Sequence, residues 1–493
     1  MKGDFTRNTY DPGRHYNRVL QQQGRVALDA DFNEQAAIVL HHLRVLTRDL
    51  FGAYGGPADG NGFLIAIDLS GATPKLTISA GHYYVDGLLV ENDAPCDYAG
   101  QPDWTPAPPD ANGQGGDALL AWLASNPRNV DQRYWLYLDV WERHITWIED
   151  DAIREPALGG PDTGTRAKTL WQVKALPWDP AWNQSPSPCT APLGSLTTLS
   201  TALLGARIDP GPGSTDPCII APGAAYRGAE NQLYRVEIQR GGDASQATFK
   251  WSRDNGSTAT RWLGSEGAVL LAQSGRGFCA GDWVELTHDA LELAGLPGQL
   301  LLLAVVEGDR LTIDPASVPA AGQMAWSADY MHPKLRRWNQ SGNDQVTLVE
   351  GAVPVQETPA GGESVWLDLE DGVQVEFAAG GSYRSGDYWL IPARVATGGL
   401  LWPLDAAGQT LLQPPAGIEH HYAPLGMVLD SDGLRADPSC RRCVEVPEVA
   451  CRVSTALQPR ARAPRARPPA AAPASTGGPG ARTRGVASKR KAP

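Results

Sequence analysis

Nowhere in the 493 residues is there a run approaching the roughly 18 apolar residues that a membrane-spanning helix needs. The opening residues, Met1 to Arg7, lack the apolar stretch of a secretory leader. The expectation is therefore a chain made in the cytoplasm, without membrane insertion. Cysteine is sparse, seven in all, which excludes a small disulfide-built scaffold and agrees with a reducing compartment. No Gly-x-Ser-x-Gly, His-Glu-x-x-His or Gly-x-x-x-x-Gly-Lys sequence occurs, so the commonest signatures of serine hydrolysis, zinc hydrolysis and nucleotide binding are missing. Positive charge is also short, with 42 Lys and Arg against 55 Asp and Glu. Nine of those basic residues sit in the last 35 positions with no acid among them, leaving 33 basic against 55 acidic in the rest, a net of −22. Such a body repels nucleic acid, and no nucleic-acid partner is expected.

What is present is β texture. From Leu64 onward, short runs of Val, Ile, Leu, Trp and Tyr alternate with Gly, Pro, Asp and Asn. Strands are expected at Lys75–Ser79, Tyr83–Val90, Tyr134–Ile148, Leu233–Gln239, Ala247–Trp251, Trp283–Leu286, Leu300–Val306, Leu311–Asp314, Val346–Val349, Val365–Leu369, Val373–Phe377 and Tyr388–Pro392. The expected fold is mainly β: a multi-module body of sandwiches or barrels, a short N-terminal helical element and a disordered basic tail. The divisions read as 1–55 for an N-terminal motif and helix, 56–270 and 271–455 for β-rich modules, and 456–493 for the tail. Gly281-Asp282-Trp283 and Gly386-Asp387-Tyr388 resemble each other as turn-then-strand openings. The 16 tryptophans mostly fall inside strand runs, as at Trp135, Trp141, Trp251, Trp283 and Trp389, which favours core packing over stacking on a ligand.

The helix is the clearest local feature. Asp31 followed by Glu34 reads as a capping box, Ile38, Val39, Leu43, Val45, Leu46, Leu50 and Phe51 form an apolar stripe, and Gly52 supplies a stop. Asp29, Asp31 and Asn33 look like the opening of a calcium loop, but Glu34 and Leu40 stand where Gly and Glu are required, so helix initiation explains them better. Cys440 and Cys443 have the spacing of two thiolates on one metal ion, with Cys451 beyond and His420 or His421 as further donors. Cys189 and Cys218 would meet only if the loop between them folds back. The acidic group Glu149-Asp150-Asp151, with Glu142 and His144, is the best place to look for paired-carboxylate chemistry; a turn after a strand accounts for it more simply. No cofactor is expected.

A resemblance runs through most of the chain. It is carried by Lys2-Gly3-Asp4-Phe5-Thr6-Arg7, Tyr10-Asp11-Pro12, His15-Tyr16, Arg18-Val19-Leu20 and Leu28-Asp29-Ala30-Asp31-Phe32-Asn33-Glu34-Gln35. Further on it is carried by Trp141-Glu142-Arg143-His144, Arg235-Val236-Glu237, Phe249-Lys250-Trp251, Arg253-Asp254-Asn255-Gly256, Lys334-Leu335-Arg336-Arg337-Trp338, Gly386-Asp387-Tyr388-Trp389 and His420-His421-Tyr422. Through these the chain resembles a bacterial family of uncharacterised domains found in gene clusters for phage-tail-like extracellular contractile injection systems. The resemblance implies a non-enzymatic structural or adaptor part, in the baseplate, a tail fibre or an outer scaffold. It also implies other injection-system proteins as partners, a homo-oligomer, and a particle that is released from the cell. Lys2–Gly52 would dock on the particle, with Phe5, Arg7, Tyr10, His15, Tyr16, Arg18, Asp29, Asp31, Phe32, Asn33 and Glu34 at the interface, while Leu64–Cys451 projects. Two other classes stay open: a carbohydrate-binding or carbohydrate-cleaving surface protein, and a payload of the machine.

Overall fold

Six strands close into a barrel in the order Ala259–Glu266, Val269–Ala272, Arg310–Ile313, Gln299–Glu307, Trp283–Thr287 and Lys334–Trp338, which removes every open sheet edge from that part of the molecule. The computed structural model describes residues 1–444 apart from 72, 105–116, 126–131, 198–199, 212–224, 343–345 and 431–433. The basic tail, Cys218 and Cys451 lie outside the described residues. The fold is mainly β, with a helix near the N-terminus, as its composition and turn spacing imply.

Beside the barrel, a five-stranded sheet runs Val353–Pro354, Thr248–Ser252, Gln232–Arg240, Tyr388–Arg394, Gly399–Leu400. A third sheet is built on two long strands, Arg133–Ile145 and Arg166–Pro177, and is continued by His420–Leu429 on the other side of the first. The late strand thus completes a sheet begun much earlier in the chain. The barrel also draws strands from both sides of residue 270. Each layer buries its own apolar cluster: Tyr83, Leu136, Val173 and Leu425 in one, Tyr234, Phe249, Phe377 and Trp389 in the next, Trp262, Leu286, Leu303 and Leu335 in the barrel. Trp135, Trp141, Trp251, Trp283 and Trp389 are all buried, as their strand positions imply.

Several local expectations are corrected. Tyr83–Val90 is a hairpin of Gly81–Val85 and Leu88–Asn92, turned at Asp86 and Gly87, whose φ values of 48° and 84° make the two-residue turn that an Asp-Gly pair favours. Val346–Val349 forms no strand and contributes only the bridge Val349 to Ala352. The helix α1 spans Asp29–Phe51 and does end at Gly52, but Leu28 occupies its N-cap without a side-chain bond. The Asp31 capping box does not form, because the chain before the helix folds back along it. Thr6 donates through its amide (2.8 Å) and its hydroxyl to Asp29, and Thr9 donates to Glu34 at 2.5 Å. Those carboxylates satisfy a strap instead of the helix end.

Cys440, a candidate metal ligand, is disulfide-bonded to Cys189 across 251 residues of sequence, so its sulfur is not a thiolate donor. Cys443 is a free, exposed thiol near Asn61. His420 and His421 turn instead to Asp139 (2.7 Å) and Asp86 (3.1 Å).

Candidate functional site

The residues expected at an interface divide into two groups. Residues 1–3 pack into the body, and the chain from Asp4 to Arg7 runs along it. Asn255, fully buried in a left-handed turn (φ 55°), donates to the carbonyls of Met1 (3.1 Å) and Gly3 (2.8 Å). The amine of Met1 donates to the Tyr388 hydroxyl at 2.8 Å, and Arg394 holds the Thr6 carbonyl at 2.7 Å. Phe5 packs edge-on to His144, ring centres 5.7 Å apart, and a Cβ at Gly3 would lie 2.8 Å from the Phe5 ring and 3.2 Å from His144, so a larger residue there would displace the Phe5 ring. Arg7 and Tyr10 are half-buried, Tyr10 lying near His41. His15, Tyr16, Arg18, Asp29, Phe32 and Asn33 are exposed, and Asp31 and Glu34 are half-buried along the strap.

Helix α1 rests on the body by a narrow face. Ala30 and Ile38 are its buried residues, Phe51 stacks near Tyr84 with ring centres 4.3 Å apart, Arg44 pairs with Glu142 at 2.8 Å, and Arg48 faces Asp86 at 3.8 Å. The Asp86-Gly87 turn presses against the helix backbone at Arg44, where any side chain at Gly87 would collide. The apolar stripe points the other way: Phe32, Val39, Leu43, Leu46 and Leu50 are between 48% and 65% exposed. With Ala36, also exposed, they recur at alternating steps of four and three residues. That 3.5-residue period is the seam by which one helix packs on another, and it runs the length of the helix, about 34 Å.

The interior holds the opposite chemistry. A cavity of about 310 Å³ opens where the N-terminal strap, the barrel, the five-stranded sheet and the long-stranded sheet meet. Two ion networks reach its wall. In the first, Glu237 receives Lys2 (2.9 Å), Arg235 (2.6 Å) and Lys250 (3.4 Å), and Glu285 receives Lys250 (2.6 Å), the Trp338 indole (2.8 Å) and the Gly298 amide (3.0 Å). Lys250, Glu237 and Glu285 are almost wholly buried. Burial pushes the Glu237 carboxyl up, but Lys2, Arg235 and Lys250 more than offset this and hold it well below the usual range.

The second network gathers Glu149, Asp289 and Glu292, three carboxylates whose oxygens lie within 4.8 Å of one another, the spacing of a cation site. Protein cations already fill it. Lys334, 1% exposed, bonds to Glu149 and to Glu292 (2.8 Å); Arg143 spans Asp289 (2.6 Å) and Glu292 (2.7 Å); His332 meets Asp289 at 2.6 Å. Burial raises the pKa of Glu149, and Lys334 brings it down to about 2. Of the acidic group read from the sequence, then, Glu149 belongs to this network, Asp150 caps the next turn and Asp151 faces Arg261 at 3.3 Å. Glu142 and His144 line the cavity.

Segments that carry the resemblance, scattered from Lys2 to His421, converge here. Lys2, His144, Arg235, Lys250, Arg336 and Tyr388 all border the one cavity. No local signal marks this convergence, since each lysine, arginine and glutamate alternates with apolar neighbours as in an ordinary strand. The available hint was the presence of charges at inward-facing strand positions, as in Leu233-Tyr234-Arg235-Val236-Glu237.

The chain matches the model of a family described as "Family of unknown function (DUF6519)" over residues 1–187 and 184–492, and it belongs to that family. Neither a curated protein nor a solved structure matches it.

Proposed function

We propose that this family member is a non-enzymatic structural or adaptor component of a phage-tail-like contractile injection system, in its baseplate, a tail fibre or an outer scaffold. It docks through the outer face of α1 on a helix of another particle subunit. The observation that carries this reading is the seam of Phe32, Val39, Leu43, Leu46 and Leu50, an apolar stripe turned to solvent along the whole helix. A continuous apolar row of this kind, bordered by polar residues, is the mark of a surface that another molecule covers. Its 3.5-residue period suits a helix, which inserts side chains between successive turns, better than a sheet. A second copy of the chain is disfavoured on this face, because its acidic body brings like charges together.

The resemblance of the N-terminal motif to proteins of injection-system clusters supplies the setting. The Cys189–Cys440 bridge supports a working place outside the reducing cytoplasm in which the chain is made, as on a released particle. The carbohydrate reading needs exposed aromatic platforms, and nine of the 16 tryptophans are buried in the core, with Trp326, at 37%, the most open to solvent.

The test is co-purification. Particles assembled from the complete gene cluster should carry the wild-type chain and lose it when Leu43, Leu46 and Leu50 are all replaced by glutamine. Retention of that triple variant at the wild-type level would sink the docking assignment. A cluster without sheath or tube genes would sink the setting. Substitution is a cleaner probe than removing residues 2–52, since Lys2 is a counter-ion of buried Glu237.

A further inference from the structure

We propose that the cavity is an oxyanion-binding site in which the Arg336 guanidinium is the principal ligand and His144 Nε2 lies beside it, the bound species being a small molecule or ion that bears a carboxylate or phosphate. The site is separate from the α1 seam and does not depend on the docking reading.

The reasoning begins with an uncompensated charge. Arg336, on the barrel strand Lys334–Trp338, is 5% exposed. One terminal nitrogen donates to the Gly256 carbonyl, its Nε has no partner, and no carboxylate lies within 4.0 Å of it among the described residues. Across the strand pair it faces Glu285, but that carboxylate is already engaged by Lys250, Trp338 and Gly298. The neighbouring buried cations Lys250, Arg235, Arg143 and Lys334 each hold a carboxylate; Arg336 does not. A guanidinium cannot shed its charge at any ordinary pH, and a buried charge without a counter-ion is among the most costly things a fold can contain. An anion in the adjoining space resolves it.

Two further groups point into the same corner. His144 Nε2 is buried, borders the cavity and has no partner. Burial, the Met1 amine and Arg336 together lower its pKa to about 3, and burial with Arg235 and Lys2 lowers that of the Met1 amine to about 4. Glu237 opposes this at the Met1 amine and Glu149 opposes it at His144, but neither offsets burial and the surrounding cations, so positive charge in this corner is under-compensated. The volume, about 310 Å³, holds roughly ten waters at liquid density, enough for a small organic acid or a phosphate with some of its hydration. Entry is available at the rim, where Leu296 and Ile418 line the cavity and are each about half exposed.

The probes are inorganic phosphate and acetate, titrated in chloride-free buffer at neutral pH into the full-length chain and followed by calorimetry. Saturable binding to the wild type is expected, weakened about 10- to 100-fold in Arg336→Gln by loss of a charge-assisted contact. His144→Gln should weaken it less. The His144 ring, followed by NMR, should titrate higher with the anion bound than the value of about 3 without it. Binding of phosphate alone identifies a phosphate-bearing ligand, acetate alone a carboxylate, and both a site that reads only the oxyanion; each supports the proposal. Absence of saturable binding of either anion by the wild type overturns it, as does equal affinity in Arg336→Gln. If Arg336→Gln does not fold, an unchanged His144 titration in the presence of anion overturns it instead.

Discussion

The cavity wall and the outer face of α1 reverse the usual distribution of residues. Lysine, arginine and glutamate are packed at the junction of three sheets, and a row of leucines stands in water on the helix. The first is self-contained in its two networks, where the carboxylates meet cations and their polar atoms are largely bonded; removing one member leaves the rest buried and unpaired. The second is uncovered, because nothing among the described residues packs on it. Burial of charge here fixes how elements meet, whereas the exposed apolar side chains form the surface proposed above for docking. Loss of a residue should therefore destabilise the first region and leave the stability of the second untouched.

The largest effect is expected at Lys334. Lys334→Ala strands buried Glu149 and leaves Glu292 to Arg143 alone, and should cost about 3–5 kcal/mol in urea unfolding. A loss under about 1 kcal/mol would show that the interior network is not what holds the sheets in register. Next comes the Cys189–Cys440 bridge, which ties the loop after Arg166–Pro177 to the segment after His420–Leu429. Cys189→Ser should lower stability by about 2–4 kcal/mol, and a reductant should then have no further effect.

Acid should act on the interior and not on the apolar seam, which carries no titratable group. Glu149 is held at about 2 against an ordinary 4.5, so its contribution is fully present above about 4.5 and is lost as pH falls toward 2. His144 acts at higher pH. The unfolded ring takes a proton below 6.5 and the folded one only near 3, so stability falls as pH drops from 6.5 toward 3. In anion-free buffer, His144→Gln should flatten the urea midpoint between pH 6.5 and 5; an unchanged slope there would mean that the ring is free to protonate in the fold. A smaller effect is expected from Thr9→Val, which removes the strap's bond to Glu34: about 0.5–1.5 kcal/mol, with faster amide exchange in residues 6–10. Smallest of all, replacing Leu43, Leu46 and Leu50 with glutamine should shift stability by no more than about 0.5 kcal/mol for each residue, while still removing the chain from particles. A severe loss of stability in that variant would mean that the stripe is part of this chain's own core.

Much of the architecture was legible in short-range pattern. Tyr134–Ile148 and Leu233–Gln239 alternate as strands do, and the observed strands Arg133–Ile145 and Gln232–Arg240 agree to within a few residues. The Asp86-Gly87 pair is a hairpin signal in the sequence, and the two strands it joins, Gly81–Val85 and Leu88–Asn92, pair as it implies. The helix was readable from its stripe and from Gly52, but which of its faces meets the body was not. In the fold only Ile38 and, in part, Phe51 of that set turn inward. Asp31 looked like a cap because nothing local revealed that Thr6 and Thr9 would lie alongside the helix start. The cavity was illegible for the same reason. Lys2, His144, Arg235, Lys250, Arg336 and Tyr388 come from six separate segments, and no one segment shows that its charge will be buried.

By itself, then, the sequence determined the β-rich texture, the extent of α1, the inward tryptophans and the acidic character of the body. All of these follow from what a few neighbouring residues prefer and from what they can bury. Only the tertiary structure decided which face of α1 meets the body, that Cys189 joins Cys440, that Met1 to Gly3 are held on buried Asn255, and that one buried arginine contacts no carboxylate among the described residues. Each of those outcomes is a pairing between groups far apart in the chain, and such a pairing is set by how packed sheets bring strands together.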